Sequence, residues 1–162
     1  MGNRAVITTN VNKPDNQKIG IYLHWNGGRD SVEAFLTYCK IAGYRNPIDD
    51  NYGWARLCQV IGNFFGGGLS IGIDTLDNLD CDNGDNGMYI IDENWDIVGR
   101  ENFDGEEQRY YNLSLMLEAL DDHMPEGNKV GYEAINKWLT ENGHMTIEEA
   151  KEKEEQEQDK ED

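Results

Sequence analysis

The chain has 162 residues, enough for one domain with its own core and too few for two of ordinary size. Its 32 acidic and 14 basic residues give a formal net charge of −18, and a field of that sign repels bare nucleic acid and anionic membranes and attracts basic grooves. There is no apolar run typical of a signal peptide or a membrane span, so we expect a cytoplasmic protein.

The first two predicted elements are strands over residues 4–9 and 18–25, joined by a polar turn segment. Both are rich in β-branched and aromatic side chains, which favour strands. Alternation with a period of two places Ile21 on one face of the second strand, with Tyr22 and His24 on the other. We therefore expect His24 to point away from the apolar layer.

Two helices follow, each with apolar residues at helical spacing. The first is expected to begin near Asp30 or Ser31 and to stop at Gly43, and the second to end at glycines 66–68. Their apolar stripes consist of Val32, Phe35, Leu36 and Cys39, and of Trp54, Leu57, Cys58, Ile61 and Phe65. Two of the three cysteines thus belong to apolar stripes, and Cys81 completes no C-x-x-C pair, so neither disulfides nor a zinc site is predicted.

Strands return in the second half of the chain. Residues 69–74 are predicted to form a strand, and residues 88–91 and 96–100 to pair as a β-hairpin. Two more helices come next, marked by Leu113, Met116, Leu117 and Leu120, and by Ala134, Ile135, Trp138 and Leu139.

The end of the chain is strongly acidic. Thr146 and Glu149 have capping-box spacing, so a last helix can begin there. Almost nothing apolar follows Ile147, however, and we expect this segment to be helical or frayed and solvated. From Glu148 onward there are nine acids and three lysines, which places −6 on this tail and −12 on the rest of the chain.

These elements predict an α+β fold, with an antiparallel or mixed sheet covered by about four helices. A doubly wound α/β fold is disfavoured because the alternation of strand and helix fails after Leu69. We expect a single globular domain over residues 1–145 and an acidic tail over residues 146–162.

The turn between the second strand and the first helix is a candidate anion site. It contains His24, Asn26, Gly27, Gly28 and Arg29. Free backbone N–H groups and the helix dipole at such a helix start can hold a phosphate, to which an arginine adds a bidentate contact. No nucleotide-binding fingerprint is present, and the same pattern is typical of a purely structural glycine turn, so both interpretations stay open.

A second candidate lies at the start of the second helix. Tyr52, Trp54 and Arg56 can stack on a nucleobase and contact its phosphate. The alternative is a core role for Trp54, which is in phase with the apolar stripe, with an arginine that extends to solvent. The three histidines lack any paired metal spacing, and no catalytic residue can be singled out.

The third candidate is the polar loop DCDNGDNG, which contains Asp80, Asp82 and Asp85. Closely spaced carboxylates and amides suit calcium, but the loop does not follow the EF-hand pattern, and Asn-Gly pairs are common in turns. We therefore predict no metal and no cofactor here, and interpret the three aspartates as exposed acids for a partner.

Three runs resemble a family of small, mostly uncharacterised proteins carried by phages and mobile elements. They are GIYLHWNGGRDSVEAFL at residues 20–36, DNYGWARLCQVIGNFFGGG at residues 50–68 and LDCDNGDNGMYII at residues 79–91. The resemblance implies an anti-defence role of the anti-CRISPR kind, because proteins with this genomic company include inhibitors of host defence. It assigns no role to any single residue.

Two functions are expected from these observations. The first is an inhibitor that binds a basic, nucleic-acid-handling host defence protein, such as a CRISPR effector nuclease, through its acidic surface. The alternative is a protein that binds or hydrolyses a nucleotide defence signal, with the phosphate at the turn of residues 24–29 and the base against Trp54 or Tyr52. A purely structural accessory protein would show neither an acidic face nor a pocket beside the turn.

Overall fold

The computed structural model describes residues 2–48, 51–66 and 70–161. Over these residues the chain has the predicted α+β fold, with five strands and five α-helices. The strands are β1 (Ala5–Thr9), β2 (Ile19–Leu23), β3 (Ile71–Thr75), β4 (Met88–Ile91) and β5 (Ile97–Glu101). The helices are α1 (Arg29–Ala42), α2 (Asn51–Phe65), α3 (Leu113–His123), α4 (Tyr132–Glu141) and α5 (Ile147–Glu161).

The five strands form one mixed sheet in the order β3-β2-β1-β4-β5. All neighbours are antiparallel except β1 and β4, which pair in parallel. A parallel pair needs a long crossover, and the chain supplies one through α1, α2 and β3 between β2 and β4. The predicted hairpin of β4 and β5 is confirmed, with a register irregularity at residues 90–91.

One face of the sheet packs against the helices and forms the main core. Fully buried side chains from both layers meet there: Ile7, Ile21, Leu23, Tyr89 and Ile91 from the sheet, and Phe35, Leu36, Tyr38, Leu57, Ile61, Leu117 and Leu120 from the helices. The predicted stripes of α1 and α2 are therefore confirmed. Burial raises the pKa of the Cys39 thiol, as expected for an unreactive core cysteine.

The boundaries of α1 and α2 follow their glycines. Gly43 ends α1 in the left-handed conformation, with φ of 72°, and its amide donates to the Cys39 and Lys40 carbonyls. In the first turn of α2, a Cβ on Gly53 would collide with the carbonyl oxygen of Arg45. The predicted stop at residues 66–68 is described only at Gly66, and Leu69, the predicted start of β3, lies outside the described residues.

The other face of the sheet is covered by an irregular segment. Leu76, Leu79 and Cys81 pack there on Val6 and Met88. Glycine in β2 permits this packing, because a Cβ at position 20 would lie 2.7 Å from the Leu79 side chain. The second layer is thus made by residues 76–87, the segment that contains the polar loop.

The acidic end of the chain is helical as far as it is described, and its first turn belongs to the core. Ile147 and Ala150 are buried, and Lys151 pairs with Glu118 of α3 at 2.6 Å. The capping box is formed, since the Thr146 hydroxyl accepts from the Glu149 amide at 3.2 Å. Beyond this first turn α5 is exposed on every side through residue 160. None of the described helices is long and apolar enough to cross a membrane.

Candidate functional site

The start of α1 is covered by an irregular segment, residues 107–111. The Asp30 amide donates to the Gln108 carbonyl at 3.2 Å, and a Cβ on Gly28 would lie 2.5 Å from the Gln108 side chain. The Gly27 amide donates to Asn3, and the Gly27 carbonyl accepts from the Tyr89 hydroxyl at 2.6 Å. A Cβ on Gly27 would lie 2.5 Å from the Asn3 carbonyl oxygen, so close packing against backbone requires this glycine, whereas at Gly28 the Gln108 side chain would have to move. These contacts favour the structural interpretation of the turn.

Arg29 stands in the middle of a chain of ion pairs. Its guanidinium donates to Glu33 at 2.6 Å and to Glu107 at 2.8 Å. Glu33 also pairs with Arg109 at 2.7 Å, and Glu107 with Arg100 at 2.8 Å. Three cations and two carboxylates therefore alternate from the segment above α1 to strand β5. Because both carboxylates occupy Arg29, it is not available as a bidentate phosphate ligand.

Arg29 and Glu107, at the centre of these ion pairs, are half-buried, and their opposite charges favour the ionised form of each. Burial opposes ionisation of Glu107, yet hydrogen bonds from Arg100 and Arg29 keep the pKa of this carboxyl below its ordinary value. Burial likewise lowers the pKa of Arg29, while its bonds to Glu33 and Glu107 raise it, and the net direction is upward. Arg100 also stacks on Tyr89, 3.8 Å from the ring centre.

His24 and Asn26 make local contacts. His24 Nδ1 lies 3.0 Å from the Tyr22 hydroxyl, so the predicted placement of both side chains on one face is confirmed. Trp25 meets the His24 ring edge-on, with centroids 5.0 Å apart. Asn26 adopts the left-handed conformation, with φ of 57°, and its side-chain amide donates to the Ser31 hydroxyl at 3.1 Å. Each of these contacts supports the turn itself.

The second candidate, Tyr52, Trp54 and Arg56, lies at the C-terminal end of α1, where Tyr52 and Arg56 line a cavity with Gly43. Trp54 lines a different cavity with Thr9. Trp54 is buried in the core, whereas Tyr52 is 60% exposed. The Arg45 guanidinium lies 5.1 Å from the Tyr52 ring centre, and Arg56 donates to Gln59 at 3.0 Å. Since α1 has 14 residues, about 20 Å separates Tyr52 and Arg56 from the turn before α1. The two candidate halves of a nucleotide site are therefore not brought together.

The polar loop of residues 80–87 is held by its own side chains. The buried Asn83 accepts from the Asp85 and Gly87 amides and donates to two carbonyls. Asp85 accepts from the Arg4 guanidinium at 2.8 Å and from the Arg4 amide at 3.0 Å. In the described part of the chain, no three His, Cys, Asp or Glu side chains are placed to hold a metal ion.

Several carboxylates of the irregular layer, residues 76–87, are exposed to solvent. Asp80 and Asp82 are exposed, whereas the third predicted partner residue, Asp85, is partly buried and neutralised by Arg4. Strand register adds two more acids to this face. Glu101 is the register partner of Met88 in β4, and Asp74 is that of Gly20 in β2, so both side chains lie on the side of the sheet opposite the helices. We define the acidic loop face as Asp15, Asp74, Asp77, Asp80, Asp82 and Glu101, all of which are exposed.

The electrostatics of Cys81 show that acids from distant segments converge on this face. Burial raises the pKa of the Cys81 thiol, and the negative charges of Asp15, Asp80 and Glu101 raise it further. These three acids come from the β1–β2 connection, the polar loop and strand β5. The fold therefore gathers them beside one thiol.

Residues 107–111 were not predicted as functional, although each is fixed by at least one contact. Glu107 binds two arginines, Gln108 bonds to Asp30 and Asn3, and Arg109 pairs with Glu33. The amides of the two following tyrosines donate to Asp30. The only sequence signal was a Tyr-Tyr pair in a polar stretch without helical or strand periodicity.

Comparisons with known proteins add no assignment. No protein-family model, curated protein or solved structure matches this chain. The resemblance to proteins of phages and mobile elements stays a prediction. The function is therefore argued from the geometry and charge of the residues themselves.

Proposed function

We propose that this protein binds a basic, nucleic-acid-handling defence protein, such as a CRISPR effector nuclease, and inhibits it by occupying the surface that would hold nucleic acid. The observation that carries the proposal is the acidic loop face, where six exposed carboxylates lie on one side of the sheet. A basic side chain on this face, Arg4, is paired with Asp85 at 2.8 Å and lies 3.9 Å from Asp80. With six carboxylates on it, the face carries a negative net charge.

Carboxylates at a protein surface can replace phosphates in a basic groove, because lysine and arginine bind both groups by charge-assisted hydrogen bonds. A strongly negative protein also approaches a basic surface quickly through long-range attraction. The remaining charge of the chain has the same sign and adds to this attraction at low ionic strength. Competition with nucleic acid for one groove is therefore the expected mode of inhibition.

The carboxylates are carried by an ordered layer. Asp74 accepts from the Thr75 amide at 2.7 Å and from Asn78 at 3.3 Å, and backbone and side-chain hydrogen bonds lower its pKa. Asp77 accepts from the Thr75 hydroxyl at 2.6 Å. Such contacts reduce the entropy that the face would lose on binding. A preorganised charge pattern can then be matched to one groove.

The test begins with capture of partners by the immobilised protein from a lysate of a defence-carrying host, at about 50 mM and about 500 mM salt. We expect a basic nucleic-acid-binding protein that is retained at low salt and released at high salt. The purified partner should lose activity when this protein is added, and duplex nucleic acid should compete for the complex. Capture that is equally strong at both salt concentrations would rule out electrostatic mimicry.

Matched variants locate the binding surface. Asp80→Asn with Asp82→Asn removes two charges from the acidic loop face without removing a cap or a short hydrogen bond. Glu133→Gln with Glu141→Gln removes two exposed charges from α4. We expect the first pair to weaken binding of the captured partner by roughly tenfold and the second to have a smaller effect. Equal effects of the two pairs would contradict a role for this face.

A further inference from the structure

A cleft between residues 109–114 and helix α5 has an aromatic wall and an acidic wall. Its volume is about 510 Å³, and we call it the Tyr110 cleft. Tyr110 and Tyr111 line one side, and Lys153, Glu154 and Glu157 line the other. Leu113 and Met145 also line the cleft, and both are partly buried.

The rings of the aromatic wall are exposed, and the backbone that carries them is fixed. Tyr110 is 84% exposed and Tyr111 is 54% exposed. Their backbone amides donate to the same carboxylate oxygen of the buried Asp30, at 2.8 and 3.0 Å. A rigid tyrosine offers a large contact area at a low entropic cost, and tyrosine is enriched at the energetic centres of interfaces. The buried carboxylate of Asp30 thus fixes the backbone that carries two exposed tyrosines.

The acidic wall is carried by a helix whose base is anchored in the core. Ile147 and Ala150 bury the first turn of α5, so the next two turns stand opposite the tyrosines. Glu154 and Glu157 are three residues apart and therefore lie on one side of the helix. In the described part of the chain, neither glutamate makes an ion pair. Lys153 lines the same wall, whose two glutamates and one lysine give it a net charge of −1. Arg109, the other cation of the cleft, is paired with Glu33.

We propose that the Tyr110 cleft binds an arginine side chain from an extended segment of the basic partner. This inference rests on the proposed function and adds a second contact to that of the acidic loop face. The guanidinium would stack on a tyrosine ring while its N–H groups donate to Glu154 and Glu157. Arginine fits better than lysine, because its planar group can stack and donate in a fork at the same time.

The probe is a capped Gly-Arg-Gly-Arg-Gly peptide, titrated into the isotopically labelled full chain and followed by NMR, with its lysine counterpart in parallel. We expect the tyrosine signals of the cleft to shift, and the arginine peptide to bind several-fold more tightly than the lysine peptide. Replacing both rings, as Tyr110→Leu with Tyr111→Leu, should weaken arginine binding by roughly two- to fivefold and remove the preference over lysine.

Helix α5 supplies a matched control. Glu154→Gln with Glu157→Gln changes two charges that line the cleft, whereas Glu152→Gln with Glu155→Gln changes two exposed charges of the same helix that do not. Only the first pair should reduce binding of the arginine peptide beyond the effect of net charge. Equal affinity for the two peptides, or equal loss from the two glutamate pairs, would overturn the proposal.

The same variants separate this inference from the function on which it rests. If partner capture depends on salt and on Asp80 and Asp82 but not on the two tyrosines, the Tyr110 cleft has no role and the acidic-face mechanism stands. If capture does not depend on salt, the proposed function fails, and selective arginine binding by the cleft remains measurable with the peptide alone.

Discussion

The buried carboxylate of Asp30 accepts a hydrogen bond from the backbone amide of Tyr110 at 2.8 Å, across 80 residues of sequence. The same side chain accepts from the amides of Ser31 and Tyr111 and from the Gln108 side chain. Asp30 therefore links the first turn of α1 to the irregular segment that covers it. A single aspartate orders a surface that has no secondary structure of its own.

Replacing Asp30 should destabilise both the first turn of α1 and the segment of residues 107–111. Asp30→Ala leaves several partly buried donors without an acceptor, and we expect it to lower the free energy of unfolding by about 3 kcal/mol. Urea denaturation measures the change. Asp104→Ala, at an exposed position a few residues before the covering segment, is the control and should stay within about 0.5 kcal/mol of the unaltered chain. A small effect of Asp30→Ala would show that water replaces the carboxylate.

Gly53 and Gly62 lie in the same helix and should respond to alanine with opposite signs. Helix propensity alone favours alanine by up to about 1 kcal/mol at each position. At Gly53 the new Cβ collides with the Arg45 carbonyl, whereas at Gly62 the nearest atom is 4.0 Å away. We therefore expect Gly53→Ala to destabilise by about 2 kcal/mol and Gly62→Ala to stabilise slightly, as measured by thermal and urea unfolding. Stabilisation by both would exclude close contact at Gly53.

The parts of the fold that depend on residues close together in the sequence could be predicted from it. Helices α1 and α2 follow from apolar spacing with glycine stops, and the β4–β5 hairpin from two short strands around a turn. The parallel pairing of β1 with β4 could not, because their register is set by tertiary packing across a crossover of about 80 residues.

The candidate site shows the same division between local and distant information. The sequence places Arg29 beside two glycines at a helix start, a pattern that suits an anion. Its partner Glu107 lies 78 residues away in a segment without periodicity, so the ion pair that occupies Arg29 was not visible. Exposure of Asp80 and Asp82 was predicted correctly from their polar loop, but the pairing of Asp85 with Arg4 depends on the fold.

The ion-pair chain should make stability depend on pH through Glu107. Its pKa in the folded protein lies below the ordinary value of 4.5, so the unfolded chain takes up a proton first as the pH falls. This contribution is complete above that ordinary value and is lost as the pH falls through the folded pKa. Glu107→Gln should be less stable near pH 7 and should show a shallower decline of stability between about pH 5 and pH 3. An unchanged decline in urea denaturation would assign the pH dependence to other carboxylates.

The first turn of α5 should contribute to the stability of the domain, although most of this helix is exposed. Ile147 is fully buried, so Ile147→Ala should lower the free energy of unfolding by about 2–4 kcal/mol through lost packing and a cavity. Ile73→Ala, on an edge strand at a position that is 53% exposed, is the matched control and should change stability by less than about 1 kcal/mol. Removing residues 152–162 should cost less than Ile147→Ala, because residues 152–160 are exposed and the ion pair of Lys151 with the largely buried Glu118 is kept. If Ile147→Ala were as mild as Ile73→Ala in urea denaturation, α5 would be an independent tail rather than an anchored helix.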